Sequence, residues 1–152
     1  MRALLIGLVV CGVAAAATVS GDVDYAGERW RAADAIAYAC EDGGTCVAIA
    51  AARFDRAAFL ADGVIDSVDV HEHQPDGARY LVLSFDGEGI LRDVGAYGPT
   101  GGSNQSDESM LAAFTLEAFA DDRVAGALDY DFAGDRIRVR FDTTIEAAVS
   151  SE

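Results

Sequence analysis

The chain has 152 residues with 26 acidic and 11 basic side chains, every basic one an arginine, so its formal net charge at pH 7 is −15. A charge of this sign repels nucleic-acid phosphates and anionic lipid head groups, so neither is expected as a partner. The length is that of one domain with a modest core. A solvated acidic surface, a coding bias or a salt-rich habitat would each explain the acidity.

The N-terminal residues have the three parts of a secretory signal peptide. Arg2 supplies a positive charge, residues 3–10 form an apolar stretch, and the alanines at 14–17 offer small-residue cleavage sites. Polar residues end the apolar run before it reaches the length of about 20 residues that a membrane-spanning helix needs. We therefore predict a signal peptide over residues 1–17 and an exported protein, periplasmic or extracellular, with no transmembrane anchor after cleavage.

Removal of this signal would leave a single β-rich domain over residues 18–149 and a disordered tail at 150–152. Anchoring as a lipoprotein is the alternative, because Cys11 lies in the apolar stretch. The lipoprotein signal places a small residue directly before its cysteine, whereas Val10 stands there in this chain. We therefore do not expect a lipid anchor.

A stretch of ten residues occurs twice, at 22–31 and at 129–138, with six identical positions. Each copy reads as a β-hairpin with Ala-Gly as its loop. Acidic residues then face arginines on one side and apolar residues face each other on the other, whereas a slip by one residue would set apolar side chains against charges. The predicted pairs are Asp24–Arg29, Val23–Trp30 and Asp22–Arg31, and Phe132–Asp135, Asp131–Arg136, Tyr130–Ile137 and Asp129–Arg138. We interpret both copies as structural; lying side by side at the ends of a closed sheet would explain their likeness.

Two cysteines, Cys40 and Cys46, follow the first hairpin on either side of a turn. Alternation at 33–40 and an apolar run at 46–51 predict the two strands of a second hairpin. A three-residue loop at 42–44 would set Cys40 directly opposite Cys46, and export favours a disulfide between them. A redox or metal-binding pair is disfavoured because the Cys-x-x-Cys spacing is missing.

The remaining elements are short strands separated by turn signals, with one helix. Asp55 as N-cap and Gly63 as a stop enclose a helix-favouring stretch, which predicts one short helix at 55–62. About 8 to 10 short strands joined mainly by hairpins predict an all-β protein, an antiparallel sandwich or a small barrel. The later strands are predicted at 64–72, 79–85, 90–97, 111–119, 124–132 and 136–145, and the register of the hairpin over 79–97 is left open, because either parity sets an apolar residue against a charge.

The polar face of the strand at 64–72 is the candidate metal site. Asp69, His71 and His73 follow one another at every second residue, so neighbouring side chains are about 7 Å apart on one face. Two imidazoles at that distance can close on a divalent metal ion, with the carboxylate as a third ligand. A polar strand face also carries such residues simply for solubility. A divalent metal here is the one cofactor that the sequence suggests.

The segment 98–109 has no core-forming residue and is predicted to be a mobile surface loop. Loops of this length are often either functional or disordered, and the sequence leaves both open. If it is functional, it is a binding loop, with Gly98, Gly101, Gly102, Ser103 and Asn104 as its candidate contact residues.

Other chemical patterns do not lead to a site. The stretch that begins at Asp129 resembles a calcium loop, but Ala133 and Arg140 stand where that loop needs an oxygen ligand and an acid. No Gly-x-Ser-x-Gly elbow is present, and both histidines lie on one strand. We therefore name no catalytic residue and expect a binding protein rather than an enzyme.

Three short strand sequences carry a resemblance. Ala-Ile-Ala-Tyr at 35–38, Arg-Val-Ala-Gly-Ala-Leu at 123–128 and Val-Arg-Phe-Asp at 139–142, together with the signal peptide, resemble a loose group of small exported bacterial β-rich proteins of unknown function. The resemblance implies an envelope or periplasmic setting. It implies no activity and no catalytic residues.

The sequence thus predicts an exported acidic β domain that binds a partner or belongs to the cell envelope, without catalysis. Its partner would be a protein, at a sheet edge or at the loop 98–109, or a small apolar ligand between sheets. The alternative is a metal-binding protein or small hydrolase that uses the face of Asp69, His71 and His73.

Overall fold

A computed structural model of the chain describes residues 17–40, 42–61, 78–99, 101–104 and 107–146. These residues form ten β-strands and two short helices, which confirms the all-β class. The strands are β1 Thr18–Tyr25, β2 Glu28–Arg31, β3 Asp34–Ala39, β4 Thr45–Ala50, β5 Tyr80–Phe85, β6 Leu91–Gly98, β7 Gly101–Asn104, β8 Phe114–Ala120, β9 Arg123–Phe132 and β10 Asp135–Glu146, and the helices are α1 Arg56–Ala61 and α2 Glu108–Ala112.

The ten strands belong to one sheet. The order along its main path is β2-β1-β10-β3-β4-β5-β6-β7, and β9 and then β8 extend it on the other side of β10. β10 serves two halves of the sheet, because it pairs antiparallel with β1 and β9 and then parallel with β3 at Ile145 and Glu146. The described strands do not close into a barrel, since β2 and β7, at the ends of the path, do not pair with each other.

The two halves of the sheet share one apolar core. Phe141 and Leu128 contribute to it from β10 and β9, and Ile49 and Leu83 contribute from β4 and β5. A second apolar cluster, which includes Tyr38, lies on the opposite face of β3 to β5. These three strands are therefore buried on both faces, which explains why their sequences read as nearly continuous apolar runs.

Both repeated stretches form hairpins in the predicted register. Asp22 lies opposite Arg31 in the β1–β2 hairpin, and Asp129 lies opposite Arg138 in the β9–β10 hairpin. β1 also pairs with β10, so the two hairpins lie side by side and Asp22 is opposite Arg138 as well. The hairpins are neighbours in an open sheet, with β2 at one end of its main path, and they do not close it as the ends of a barrel would.

The loops of these hairpins hold alanine in the left-handed conformation. The φ angle is 52° at Ala26 and 54° at Ala133, and the glycine that follows each alanine also has a positive φ. Two successive positive φ angles are typical of the type I′ turn, whose twist suits a two-residue hairpin. A left-handed residue with a Cβ costs about 1 kcal/mol or more, so both turns carry some strain.

Cys40 and Cys46 lie at disulfide-bonding distance, with Cα atoms 5.4 Å apart, but the predicted register around them is wrong. Tyr38 lies opposite Cys46. The backbone N–H of Cys40 donates to the carbonyl of Gly44 at 2.9 Å, and the N–H of Gly43 donates back to the Cys40 carbonyl at 3.0 Å. Cys40 pairs with Gly44, so the loop keeps three residues but lies one residue nearer the N-terminus than predicted, and the cysteines are diagonal neighbours.

A β-bulge settles the register that the sequence left open in the β5–β6 hairpin. Leu83 lies opposite Val94, whereas Phe85 lies opposite Leu91, so β6 contains one extra residue between the two pairs. The extra residue lets all four side chains be buried. No regular ladder of either parity would achieve this, because the apolar residues of β6 are three positions apart.

The first helix was predicted correctly, with Asp55 as its N-cap. The Asp55 carboxylate accepts a hydrogen bond from the backbone N–H of Ala58 at 3.1 Å, and the helix runs from Arg56 to Ala61. The strand predicted at 64–72 lies outside the described residues.

The mobile loop predicted at 98–109 is wrong for the parts that the structure describes. Gly101–Asn104 form β7, which pairs antiparallel with β6. Tyr97 lies opposite Gly102, where a Cβ atom would come within 2.2 Å of the Tyr97 ring. The missing side chain lets the ring lie over β7, so a strand without an apolar residue still packs.

The end of the same segment forms a second helix that the sequence did not predict. The Asp107 carboxylate accepts a hydrogen bond from the backbone N–H of Met110 at 2.7 Å and so caps α2. Met110 is buried in the main core. The strand predicted from residue 111 therefore begins only at Phe114, because residues before it are needed for the helical turn that carries Met110 inward.

Candidate binding cleft

A cleft of about 230 Å³ opens between the β1–β2 hairpin and the edge formed by β5, β6 and β7. It lies next to the main core, since Val23 and Leu81 belong both to that core and to the lining of the cleft. The other residues that line it are Tyr25, Ala26, Glu28, Trp30, Tyr80, Ala96, Tyr97, Gly98, Gly101 and Gly102.

Small residues on one side explain why the space is not filled. Alternate residues of a strand point to one face, so Ala96 and Gly98 share the face of the core residue Val94, and Gly101 lies opposite Gly98 on β7. These positions provide one methyl group and otherwise only backbone. Elsewhere large side chains of the main core fill the space between the two halves of the sheet. Ala96, Gly98 and Gly101 have no large side chain that could fill it here.

The opposite side of the cleft is aromatic. Trp30 lies opposite Val23, and Glu28 lies opposite Tyr25, so all four residues belong to the inner face of the first hairpin. Tyr25 is buried, and Trp30 is half-buried against the core. The hairpin register, which the repeated sequence specifies, therefore positions the aromatic wall.

Two of the lining residues, Tyr80 and Tyr97, stack on each other, and their rings pack with the second apolar cluster, on the face of β5 and β6 opposite to the main core. The rings of Tyr80 and Tyr97 are 4.9 Å apart and nearly parallel, at 11°. Burial, with a smaller contribution from Tyr97, raises the pKa of Tyr80 to about 12. Burial also raises the pKa of Tyr97. Both phenols are consequently protonated at neutral pH.

Among the described residues, an ion pair joins Glu28, which lines the cleft, to Arg79 at its border. The guanidinium of Arg79, just before β5, donates a hydrogen bond to the carboxylate of Glu28 on β2. The two side chains keep 37% and 28% of their surface exposed, so solvent and ligands reach both. Gly98 makes room for this pair, because a Cβ atom there would lie 3.3 Å from a Glu28 oxygen. The cleft thus has a polar end in which the two charges balance.

A second ion pair, Asp34 with Arg56, belongs to the frame and not to the cleft. Asp34 accepts hydrogen bonds from two guanidinium nitrogens at 2.7 and 3.0 Å and from the backbone N–H of Phe54 at 3.0 Å. Burial alone would raise the pKa of Asp34, but these hydrogen bonds outweigh it and hold the pKa below its usual value. Arg56 also donates to the Ala35 carbonyl at 2.7 Å. With its polar atoms already bonded, this cluster is a clamp between α1 and β3.

The predicted metal site lies outside the described residues, which include none of Asp69, His71 and His73, and it stays a prediction. Within the described ranges, no group of three or more His, Cys, Asp or Glu side chains is arranged to hold a metal ion. The acids of the calcium-like stretch, Asp129 and Asp131, both lie beside Arg138.

Part of the predicted binding loop does line the cleft. Gly98, Gly101 and Gly102 contribute backbone to its wall, and Ser103 and Asn104 form the end of β7. The sequence reasoning missed Trp30 and Glu28 as site residues, because the hairpin pairing already accounted for them. The signal that would have found the site is the run of glycine and alanine in an otherwise core-forming strand pair.

Comparison of the chain with protein-family models, with curated proteins and with solved structures finds no match. Neither of the two helices in the described ranges is long and apolar enough to cross a membrane.

Proposed function

We propose that this protein is an exported acidic β domain that binds a small ligand in the cleft between its first hairpin and strands β5 to β7, without catalysis. The observation that carries the proposal is the cleft itself. It combines an aromatic wall with a wall of bare backbone and one accessible polar pair, which is the composition of small-molecule sites: mostly apolar, with a few placed polar groups.

Export is supported by two features. The N-terminal residues have the pattern of a secretory signal peptide, and Cys40 and Cys46 lie at disulfide-bonding distance. Disulfides persist in oxidising compartments and are rare in the cytosol. The excess of acid fits a solvated surface that keeps such a protein soluble.

Binding is favoured over catalysis by the protonation states in the cleft. Among the described residues that line it there is no serine, cysteine or histidine, and Glu28 is engaged with Arg79. Tyr80, with a pKa of about 12, keeps its proton at neutral pH, and its ring packs with the second apolar cluster, so it is not placed as a general base in the cleft.

The proposal is tested by filling the cleft. Trp30 is the only tryptophan in the chain, so its fluorescence reports on ligands that enter beside it. We expect a panel of small neutral ring compounds to include ligands that change this fluorescence in a saturable way. The variant Ala96→Phe should weaken their binding at least on the order of tenfold, because the new ring occupies the space of the ligand.

The matched control is Ile90→Phe, which adds a ring at an exposed position away from the cleft and should leave binding unchanged. Circular dichroism melts establish that both variants fold, and Ala96→Leu replaces Ala96→Phe if the larger side chain prevents folding. Binding that is equally tight in the wild type and in the folded cleft-filling variant would refute the proposal.

A further inference from the structure

The size of the cleft limits the ligand to about one ring. Its volume of about 230 Å³ lies below the range of roughly 300–1,000 Å³ that is usual for sites of drug-sized ligands. The cleft is open towards solvent between β2 and β7, so a longer molecule can project outward while one ring is held inside. The occupant is thus a single ring, either free or at the end of a chain.

The charges in the cleft favour a neutral ligand. The carboxylate of Glu28 already has the guanidinium of Arg79 as its counter-ion. An anionic ligand would be repelled by Glu28 and by the net charge of −15, whereas a cationic ligand is attracted by the net charge but would have to displace Arg79 from Glu28 or lie beside its guanidinium. A neutral molecule meets neither obstacle.

The same ion pair requires hydrogen-bonding groups on the ligand. A carboxylate accepts up to about four hydrogen bonds and a guanidinium donates five, so the bond between them, the one that the described residues show for this pair, uses only part of this capacity. A purely apolar ring would displace water from the pair without replacing its hydrogen bonds, which costs free energy. Adjacent hydroxyl groups donate to the carboxylate and accept from the guanidinium at the same time.

The walls require a flat apolar face on the ligand. Trp30 and Tyr25 line one side, and Gly98 and Gly101 leave bare backbone on the other. A ring that has C–H groups on its face and hydroxyls on its edge meets both demands, since the face packs on the aromatic side chains and the edge reaches the ion pair. Sugars in the pyranose form have this distribution of groups.

We infer that the cleft binds a neutral pyranose ring, with its C–H face against Trp30 and its neighbouring hydroxyls on Glu28 and Arg79. This inference rests on the proposed function and gives the class of ligand for it. The ring comes either from a free monosaccharide or from the end of a glycan chain, and the chemistry at the cleft is the same for both.

The test compares three classes of probe against the full chain. The sugars are methyl β-D-glucopyranoside and its galactose and N-acetylglucosamine analogues, cyclohexanol is the apolar ring, and choline is the cation. Trp30 fluorescence gives affinity, and saturation-transfer NMR identifies the ligand protons in contact. We expect at least one of the sugars to bind most tightly, with transfer to the C–H protons of one ring face and little change between low and high salt.

Two variants locate the contacts. Glu28→Gln should weaken sugar binding on the order of tenfold while leaving cyclohexanol unaffected, because it removes a charged acceptor of hydrogen bonds. Glu88→Gln, which changes an exposed glutamate outside the cleft lining, is the matched control and should change neither. Trp30→Phe should retain part of the affinity that Trp30→Ala loses, and NMR reports binding in both.

The results distinguish failure of the sugar assignment from failure of ligand binding in the cleft as a whole. Binding of cyclohexanol as tight as that of every sugar, or tighter and salt-sensitive binding of choline, overturns the sugar assignment and leaves the cleft as a ligand site. Absence of binding by all the probes and by the wider panel of ring compounds overturns both. An oligosaccharide that ends in the preferred sugar and binds more tightly than the methyl glycoside identifies a glycan end as the source, and equal affinity identifies the free sugar.

Discussion

Two aspartate–arginine pairs in this protein have nearly the same local geometry and very different surroundings. Arg56 donates to both oxygens of Asp34 at 2.7 and 3.0 Å, and Arg123 donates to both oxygens of Asp142 at 2.8 and 2.6 Å. The Asp34 side chain is only 10% exposed, whereas that of Asp142 is 43% exposed.

The difference shows that the environment, more than the pair geometry, decides what an ion pair contributes. Around Asp34 the backbone N–H groups of Phe54 and Ala35 also donate to the carboxylate, at 3.0 and 2.9 Å. Removing that carboxylate leaves two buried backbone donors without their acceptor and a half-buried guanidinium whose remaining partners are Glu146 and the Ala35 carbonyl. If the exposed Asp142 carboxylate is removed, water can take its place as hydrogen-bond acceptor for Arg123.

The largest expected effect is therefore that of Asp34→Ala. We expect the free energy of unfolding to fall by about 3–5 kcal/mol, the usual result when one partner of a buried pair is removed. Urea-induced unfolding followed by circular dichroism measures this. If the alanine variant does not fold, Asp34→Asn, which keeps some of the acceptor capacity, gives a smaller loss in the same direction.

The matched exposed variant, Asp142→Ala, should lose about 1 kcal/mol or less, because the pair lies in solvent. Equal losses in the two alanine variants would contradict the assignment of the Asp34 cluster as a buried clamp.

The wild type and Asp34→Asn should differ less in their free energy of unfolding at acidic pH than at neutral pH. The pKa of Asp34 is lowered in the folded state, below the about 3.9 of an unfolded aspartate. The native state then binds fewer protons than the unfolded state, so the stability from Asp34 is fully present above pH of about 4 and is lost as pH falls through the folded pKa. Unfolding curves at a series of acidic pH values test this, and a gap that stays constant through the acid range would count against it.

Replacing either alanine of the hairpin turns, Ala26 or Ala133, by asparagine should raise the free energy of unfolding by about 0.5–1 kcal/mol. Asparagine adopts the left-handed conformation more readily than alanine, and Asn-Gly is the preferred type I′ sequence. Thermal melts of Ala26→Asn and Ala133→Asn measure the gain. Ala133→Val is the opposing control, since a β-branched residue is strained at positive φ and should destabilise the hairpin.

The smallest effect is expected for the exposed acids of the repeated hairpins. The side chain of Asp129 is 73% exposed and that of its partner Arg138 is 58% exposed, so Asp129→Ala should cost about 1 kcal/mol or less. High salt should remove most of that difference, because exposed ion pairs are screened. A loss comparable to that of Asp34→Ala would mean that Asp129 has a further role.

The elements that the sequence predicted correctly differ from those it missed in how far apart their contacting residues lie along the chain. The pairs of the repeated hairpins join residues close in sequence, and a wrong register would bury charges, so the pattern specified them correctly. The register at Cys40 and Cys46 was wrong because a glycine-rich turn allows a loop of the same length at neighbouring positions, and the helix α2 was missed because its five residues resemble part of a strand. The helical turn forms there because it places the Met110 side chain in the main core.

By itself, the sequence determined the all-β class, the two hairpins and the position of the first helix, because these depend on the alternation of side chains and on turn residues within a few positions. The tertiary structure alone decided the buried clamp, the parallel contact of β10 with β3, and the cleft. Glu28 and Arg79 stand 51 residues apart, and only the packing of the two sheet halves brings them together across Gly98. A single sequence contains no local signal for such contacts, since what they require is an empty space opposite a side chain that comes from elsewhere in the fold.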